Sequence, residues 1–315
     1  MTRFVVCGET LIDLVRVNNP NDSHQSTTWS ALSAGGPMNS AVALGRLGAD
    51  SHFLGRISRD AFGEQLRRYI NDAGVKLDLA TESSQATSIA VVSLDERGVA
   101  SYTFHFADTA NFGWQADDLP KLRKTDWLHI ASLACVVSPG AEVLLDWTGQ
   151  LNCGVSYDIN VRPTVITDPG VYWERVKPWL RAVGTRGGIV KASDEDLEFI
   201  AKAGAKSSDP IDVGIDWVEH YGLAMVVITL GPGGSAAVLP GGKVVKVAGF
   251  PTDVIDTVGA GDTFMAGFLD GHVAQQQDLE SSLRRGAAAA SIVCSRRGAN
   301  PPIAAEVDML LSTKA

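Results

Sequence analysis

Short apolar runs rich in β-branched residues alternate along the chain with longer segments whose apolar residues recur at helical spacing. The short runs predict core strands at residues 3–7, 52–54, 127–130, 154–158, 188–190 and 224–229. The longer segments predict helices at residues 38–47, 61–73, 139–151, 195–203, 211–221, 261–273 and 279–294. This order is typical of the α/β class and predicts a doubly wound, mostly parallel sheet flanked by helices.

Two stretches interrupt this rhythm, residues 14–34 and residues 87–106. The first is polar around Trp29, and in the second apolar residues alternate with period two. Such alternation predicts half-buried antiparallel strands, so we expect the two stretches to pair as a small β lid outside the main sheet. The chain has no internal repeat and no linker rich in Pro and Ser, and we therefore predict a single domain over residues 1–315.

The composition of the chain argues against some classes of function. A net charge of -9 argues against a protein that binds nucleic-acid backbones. No apolar run reaches the roughly 18 uncharged residues of a membrane span, so we expect no membrane partner. The four cysteines lie far apart without Cys-x-x-Cys spacing, which indicates reduced core residues and a cytoplasmic location.

A small-residue turn followed by an aspartate carries the clearest chemical signal. Residues 256–264 have the sequence Asp-Thr-Val-Gly-Ala-Gly-Asp-Thr-Phe and lead from an extended segment into a helix. Gly259 and Gly261 allow a ligand to approach backbone N–H groups at the positive end of the helix dipole, which suits phosphate oxygens. Asp262 stands beside these groups, where it can accept a proton from an attacking hydroxyl. The same pattern also fits an aspartate that only caps the helix.

A second glycine turn precedes the helix predicted at residues 38–47. Gly35 and Gly36 let backbone amides approach a polar ligand, and Asn39 offers both a donor and an acceptor to a hydroxyl. Taken alone, these glycines also fit a purely structural turn. Asp13, after the first strand, fits either a ligand contact or a solvated acid.

Together, and in this order, the two segments resemble the signatures of the ribokinase-like (PfkB-type) carbohydrate kinases, a family that includes fructokinases and 2-keto-3-deoxygluconate kinases. The resemblance implies a ribokinase-like fold, ATP as co-substrate and Mg²⁺. It implies that Asp262 is the catalytic base and that Gly259, Ala260 and Gly261 form an anion hole. It also implies that Asp13, Gly35, Gly36 and Asn39 contact the sugar.

Residues 156–163 resemble the sugar-proximal Asp-x-Asn-x-Arg element of the same family. Asp158, Asn160 and Arg162 occupy alternate positions, so in an extended segment their side chains converge on one ligand. The planar guanidinium of Arg162 suits a carboxylate or phosphate oxygen. An ion pair between Asp158 and Arg162 is the alternative.

Further segments resemble the nucleotide and cation elements of the family. Ser193 and Asp196 occupy the place of its Asn-x-x-Glu element, which implies a nucleotide contact for Ser193 and a water-mediated Mg²⁺ contact for Asp196, although the pair also fits a helix cap. Thr229, Gly231 and Gly234 resemble the nucleotide-binding turn, and a glycine hairpin explains them nearly as well. A K⁺ site is implied for Asp256, Val258, Val293, Arg296 and Gly298.

Other nucleotide-binding classes lack their motifs. Gly242-Lys243 is followed by Val244, so there is no P-loop, and no Gly-x-Gly-x-x-Gly fingerprint occurs. We therefore expect an ATP-dependent kinase of a small sugar, with fructose as first choice and 2-keto-3-deoxygluconate as second. A sugar- or nucleotide-binding regulator without turnover is the alternative from another class. Homodimerisation through the lid is a further expectation.

Overall fold

The computed structural model describes residues 2–17, 19–94, 100–204 and 207–313. Within them the strands are β1 (Arg3–Cys7), β2 (Leu11–Arg16), β3 (Trp29–Ala34), β4 (Asp50–Leu54), β5 (Arg56–Ser58), β6 (Thr81–Ser83), β7 (Ile89–Leu94), β8 (Ala100–His105), β9 (Trp127–Ala131), β10 (Gly154–Asp158), β11 (Ile189–Ser193), β12 (Met225–Thr229), β13 (Ser235–Val238) and β14 (Val244–Val247). The helices are α1 (Gly36–Arg46), α2 (Ala61–Asp72), α3 (Gly140–Gln150), α4 (Pro169–Gly184), α5 (Asp194–Ala201), α6 (Pro210–Tyr221), α7 (Ala260–Leu269), α8 (Leu279–Cys294) and α9 (Ala304–Thr313).

The main sheet has the strand order β14-β13-β12-β11-β10-β9-β1-β4. All neighbours from β12 to β4 are parallel, and the hairpin β13–β14 extends the edge in antiparallel fashion. The predicted doubly wound, mostly parallel sheet is confirmed. Because the strands are parallel, their carboxyl ends share one edge, which is where open α/β sheets bind ligands.

Two apolar cores cover the two faces of this sheet. Alternate residues of β1 point into different cores, with Val5 and Cys7 in one and Phe4 and Val6 in the other. The first core also contains residues of α3, α4, α5 and α6, and the second contains residues of α1, α2, α7 and α8. Helices α1 and α7 therefore lie on the same face, and this places their amino termini near each other.

A four-stranded sheet with the order β3-β2-β7-β8 stands outside the main sheet, as the two interrupting stretches predicted. Pairing is antiparallel within each stretch, but β2 and β7 join the two stretches in parallel, so the antiparallel prediction is wrong at that junction. Residues 95–99 of the predicted lid lie outside the described residues. Asn111 fixes the root of this sheet, because its buried amide donates to the Thr10 carbonyl (2.7 Å) and to Ser88 Oγ (2.9 Å).

Some elements differ from the sequence prediction. Helix α4 was not predicted, and it contains Pro169 at its start and Pro178 inside, which weaken a helical pattern. Helix α9 and the hairpin β13–β14 were also not predicted. The helix predicted to end at residue 273 ends at Leu269 and passes into a π-helical turn, Asp270–Ala274. Within the described ranges, no helix has both the length and the apolar content that a membrane span requires.

Candidate active site

The amino terminus of α7 carries Asp262 in its first turn. Gly259 precedes the helix with φ 76°, a left-handed conformation that glycine adopts without strain. A Cβ at this position would lie 2.8 Å from the Cβ of Ala299, so the close contact with the Ala299 loop also requires glycine at residue 259. The N–H groups of a first helical turn have no partner inside the helix and remain available to an anion, except that Ala260 N–H donates to the Thr257 carbonyl (3.1 Å).

Two asparagine amides hold the carboxylate of Asp262. Asn39 Nδ2 donates to Oδ2 (2.9 Å), and Asn160 Nδ2 donates to Oδ1 (3.2 Å). The carboxylate is only 6% exposed, and burial raises the pKa of Asp262 against the opposing effects of Asn39 and Arg162. Each carboxylate oxygen has a second lone pair, so a fixed carboxylate of this kind can still accept a proton.

Close approach of α1 to Asp262 depends on the paired glycines. A Cβ on Gly36 would lie 2.8 Å from Asn160 Nδ2 and 3.2 Å from Asp262 Oδ1. Gly35 has φ 126°, and a Cβ there would lie 2.6 Å from the Glu9 carbonyl oxygen. The two sequence segments that predicted the site therefore meet in space. Asn39 Oδ1 is buried and accepts no hydrogen bond from the described residues, which leaves one free acceptor on the side chain that contacts Asp262.

The segment after β10 corrects one prediction. The chain is not extended beyond Asp158, because Asn160 adopts φ 44°, so Asp158, Asn160 and Arg162 do not line one side of a strand. Asp158 is fully buried and pairs with Lys191 Nζ (3.0 Å), which also rules out the alternative pairing with Arg162. Arg162 Nη1 instead donates to Asn160 Oδ1 (2.5 Å) and orients the amide that contacts Asp262.

Asp13 and Arg162 extend the polar surface toward the lid. Asp13 lies on β2 and is partly buried. Burial raises the pKa of Asp13 to about 6, because it outweighs the opposing positive charge of Arg162. The same guanidinium acts on Asp13 and on Asp262, so one cation faces both carboxylates.

Comparison with known proteins identifies this arrangement. The family model described as "pfkB family carbohydrate kinase" matches residues 1–306. The chain belongs to the pfkB family of carbohydrate kinases. It is an ATP-dependent carbohydrate kinase, and the resemblance found in its sequence is confirmed.

Curated relatives and solved structures agree with this assignment. The kinase is 35% identical over 271 residues to a fructokinase of Rhizobium leguminosarum bv. trifolii, covering 84% of this chain and 78% of the relative. It is 32% identical over 242 residues to a fructokinase of Klebsiella pneumoniae, covering 75% and 76%. Its fold matches that of a Vibrio cholerae O395 fructokinase solved with fructose, ADP and calcium ion, with TM-score 0.82, 26% identity and 99% coverage of both chains. The ribokinase-like fold is thus confirmed.

Ser193 and Thr229, both predicted to contact the nucleotide, end neighbouring strands in register with each other. Asp196 forms a capping box with Ser193, and its two oxygens accept N–H groups of Val161 (2.7 Å) and Ser193 (2.8 Å). These bonds explain the presence of Asp196 as a helix-capping residue. In the described ranges, no group of three or more His, Cys, Asp or Glu side chains is arranged to hold a metal ion.

The glycine turn after β12 has a structural cause. Gly231 and Gly234 adopt φ 53° and φ 96°, and a Cβ on Gly234 would lie 2.1 Å from the Val247 carbonyl oxygen. The hairpin interpretation therefore accounts for these glycines, and their contact with a nucleotide stays a prediction.

The residues predicted for K⁺ come from two segments that the fold brings together. Asp256 Oδ1 accepts the Val258 N–H (3.0 Å), and Oδ2 accepts the Gly298 N–H (2.9 Å). Arg296 N–H donates to the Val293 carbonyl at the end of α8 (3.0 Å), and the Arg296 side chain pairs with Glu306. The Asp256 carboxylate therefore links the segment before α7 to the segment that contains Gly298.

Sequence reasoning missed Lys191 on β11. Its side chain is 3% exposed, and its ammonium lies close to Gly261, since a Cβ there would be 2.9 Å from Nζ. Burial works against the charged form, but Asp158 and Asp196 raise the pKa of Lys191. A lysine between Val190 and Ala192 in a largely apolar strand is the signal that could have revealed it, because lysine is rarely buried without a partner.

Proposed function

We propose that this kinase transfers the γ-phosphoryl group of ATP to a hydroxyl of fructose, with Asp262 as the general base. The supporting observation is the Asp262 carboxylate, buried at the start of α7 and held by Asn39 and Asn160. It accepts the proton of the attacking hydroxyl while a bond forms from that oxygen to the γ-phosphorus and the bond to the β–γ bridging oxygen breaks. The N–H groups at residues 259–261 receive the charge on the transferred group, and that of Ala260 exchanges its contact with the Thr257 carbonyl for the phosphate.

The sugar lies between the lid and α1 in this proposal. Asp13, Gly35, Gly36 and Arg162 surround it, and the unpartnered Oδ1 of buried Asn39 accepts a hydrogen bond from a sugar hydroxyl. ATP binds along the carboxyl ends of β11 and β12, near Ser193 and Thr229. The side chain of Asp158 is fully buried and lies beneath this site.

Fructose is favoured because relatives with 32% and 35% identity are fructokinases and a structural neighbour was solved with fructose and ADP. 2-Keto-3-deoxygluconate is the second candidate. The guanidinium of Arg162 favours it, since a planar fork binds a carboxylate well.

Mg²⁺ accompanies ATP in this proposal and neutralises charge on the phosphates when bound. Asp196 fits only a water-mediated contact, because both of its oxygens already accept backbone N–H groups.

A monovalent cation fits the oxygen-rich position at Asp256, Val258, Val293, Arg296 and Gly298. Hard cations prefer carboxylate and carbonyl oxygens, and the Asp256 carboxylate holds the two donor segments together. We expect the rate of sugar phosphorylation to be higher in potassium chloride than in tetramethylammonium chloride at equal ionic strength. Equal rates in the two salts would contradict the cation site.

Two further expectations rest on this proposal. A cytoplasmic location agrees with four unpaired cysteines. A homodimer that forms through the lid stays a prediction. It is supported by Trp29 and Leu32 on β3, which are 38% and 45% exposed. A monomer in sedimentation velocity would contradict the predicted dimer.

A coupled assay of ADP release with fructose, ribose and 2-keto-3-deoxygluconate tests the function. We expect the highest kcat/KM for fructose and loss of turnover in Asp262→Asn. Asp212→Asn is the matched control, because Asp212 is an exposed acid in the first turn of α6. Highest turnover with the keto acid would replace fructose by the second candidate.

A further inference from the structure

A buried ion pair lies behind the amino terminus of α7. Lys191 Nζ and Asp158 Oδ2 are 3.0 Å apart, and the two side chains are 3% and 1% exposed. They stand opposite each other on the neighbouring strands β11 and β10. Removing two charges from water costs several kcal/mol per ion, and an apolar pair of similar volume often stabilises a fold equally well. Stability alone therefore does not explain this pair.

The ammonium lies against the turn that carries Asp262. A Cβ on Gly261 would be 2.9 Å from Lys191 Nζ, so the absence of a side chain at residue 261 lets the charge approach the helix start. Gly261 directly precedes Asp262. A cation fixed at this distance acts on the carboxylate through a water-poor interior, where charge interactions are stronger than in solvent.

The charged groups that face Asp262 are few. Arg162 and Lys191 supply positive charge from the segment after β10 and from β11, and both lower the pKa of Asp262 against the effect of burial. Asp158 supplies negative charge from β10. From helix α1, the neutral side chains of Asn39 and Ser40 contact Asp262. Arg162 also acts on Asp13, which belongs to the proposed sugar site, whereas Lys191 is paired with Asp158.

We propose that Lys191 is a positioning residue whose buried ammonium, held by Asp158 against the Gly261 turn, keeps Asp262 in its charged, proton-accepting form. The proposal rests on the proposed role of Asp262 as base. In this proposal the ion pair contacts neither the sugar nor ATP, and Lys191 acts on the reaction through Asp262.

The negative charge of Asp158 opposes the effect of Lys191 on Asp262. Burial raises the pKa of Asp158 to about 7 despite the ammonium of Lys191, and its Oδ1 is buried without a partner. Neutralising Asp158 removes a negative charge near Asp262 and leaves Lys191 in place. Loss of Lys191 therefore favours the protonated form of Asp262, whereas neutralising Asp158 does not.

The test is the pH dependence of kcat/KM for sugar phosphorylation, whose acidic limb reports the base in the free enzyme. In Lys191→Met, we expect this limb to move up by about one pH unit, with rates returning to the wild-type value at alkaline pH. In Asp158→Asn, the limb does not move up, because Lys191 stays in place. Lys202→Met is the matched control, because Lys202 is an exposed lysine whose only ion pair in the described residues is with Glu198, and its profile stays unchanged.

The double variant Lys191→Met/Asp158→Asn guards against misfolding, because it leaves no unpaired buried charge. We expect it to fold and to show an upward shift no larger than that of Lys191→Met, since neutralising Asp158 does not favour protonation of Asp262. A folded double variant with the wild-type limb, or a loss in Lys191→Met that is equal at every pH, would overturn the proposal. Full turnover in Asp262→Asn would instead refute the proposed function.

Discussion

At the scale of single residues, Asp196 and Asp262 occupy the same place in their helices and do different things. Asp196 accepts the backbone N–H of Ser193 at its own helix start, and its other oxygen accepts the backbone N–H of Val161 after β10. Asp262 makes no capping bond, and its oxygens accept amides from Asn39 and Asn160, which belong to other elements. The contact partners, and not the position in the first turn, separate a cap from a candidate base.

Asp13 gives a prediction at this scale. Its pKa is raised to about 6 by burial, so the carboxylate is charged above that pH and becomes protonated below it. A hydrogen bond to a charged acceptor contributes about 1.5–3 kcal/mol, so we expect KM for the sugar to rise about tenfold as the pH falls through 6. Measuring KM between pH 5 and 8 checks this.

The control for that experiment is a pair of variants. Asp13→Asn cannot titrate, so its KM should be high and independent of pH, whereas Asp72→Asn on the exposed side of α2 should keep the wild-type curve. If Asp13→Asn retained the pH dependence, another group would be responsible.

At the scale of elements, the site depends on how closely the starts of α1 and α7 approach each other. Gly36 leaves room for Asn160 and Asp262, and Gly259 leaves room for Ala299. Small residues at both helix starts therefore determine the position of the carboxylate.

Gly259→Ala tests this packing. A left-handed alanine costs about 1–2 kcal/mol, and its Cβ would also collide with Ala299, so we expect a lower Tm and at least a tenfold loss of kcat. Gly48→Ala is the matched control, because Gly48 has φ 87° and no atom within 4 Å of the added Cβ. It should lose stability from the conformation alone and keep kcat. Equal effects of the two variants on kcat would show that the close approach is unimportant.

Local pattern predicted the elements better than it predicted their partners. The six core strands have period and length that a sequence shows directly, and all six are present. The parallel junction between β2 and β7 was not predicted, because strand pairing depends on contacts distant in sequence. For the same reason the Asp158–Lys191 pair was missed: each residue alone looks like a strand-end acid or an isolated lysine.

At the scale of the whole molecule, the strand order explains why distant segments form one site. Parallel strands place the segments after β10, β11 and β12 at one edge, and the helices of one face bring Asn39 and Asp262 to the same edge. The sequence therefore predicted the neighbourhood of Asp262, Asn39 and Asn160. It did not predict that Asn160 is left-handed, since that conformation is fixed by its contacts with Asp262 and Arg162.

The lid belongs to the same scale. Its central strands β2 and β7 carry buried Ile12 and Ala90, and Asn111 ties their root to the body of the protein. Asp13 lies on β2, so this sheet carries one of the proposed sugar contacts directly. We propose that the sheet covers the sugar during transfer and excludes water from the γ-phosphate.

Fructose-dependent ADP release by the wild-type chain and by Asp262→Asn tests the central claim most directly. If Asp262 is the base, the variant loses about 10²–10⁴-fold in kcat, while its KM for ATP changes little. An Asp262→Asn enzyme that kept a kcat within a few fold of wild type would contradict the account.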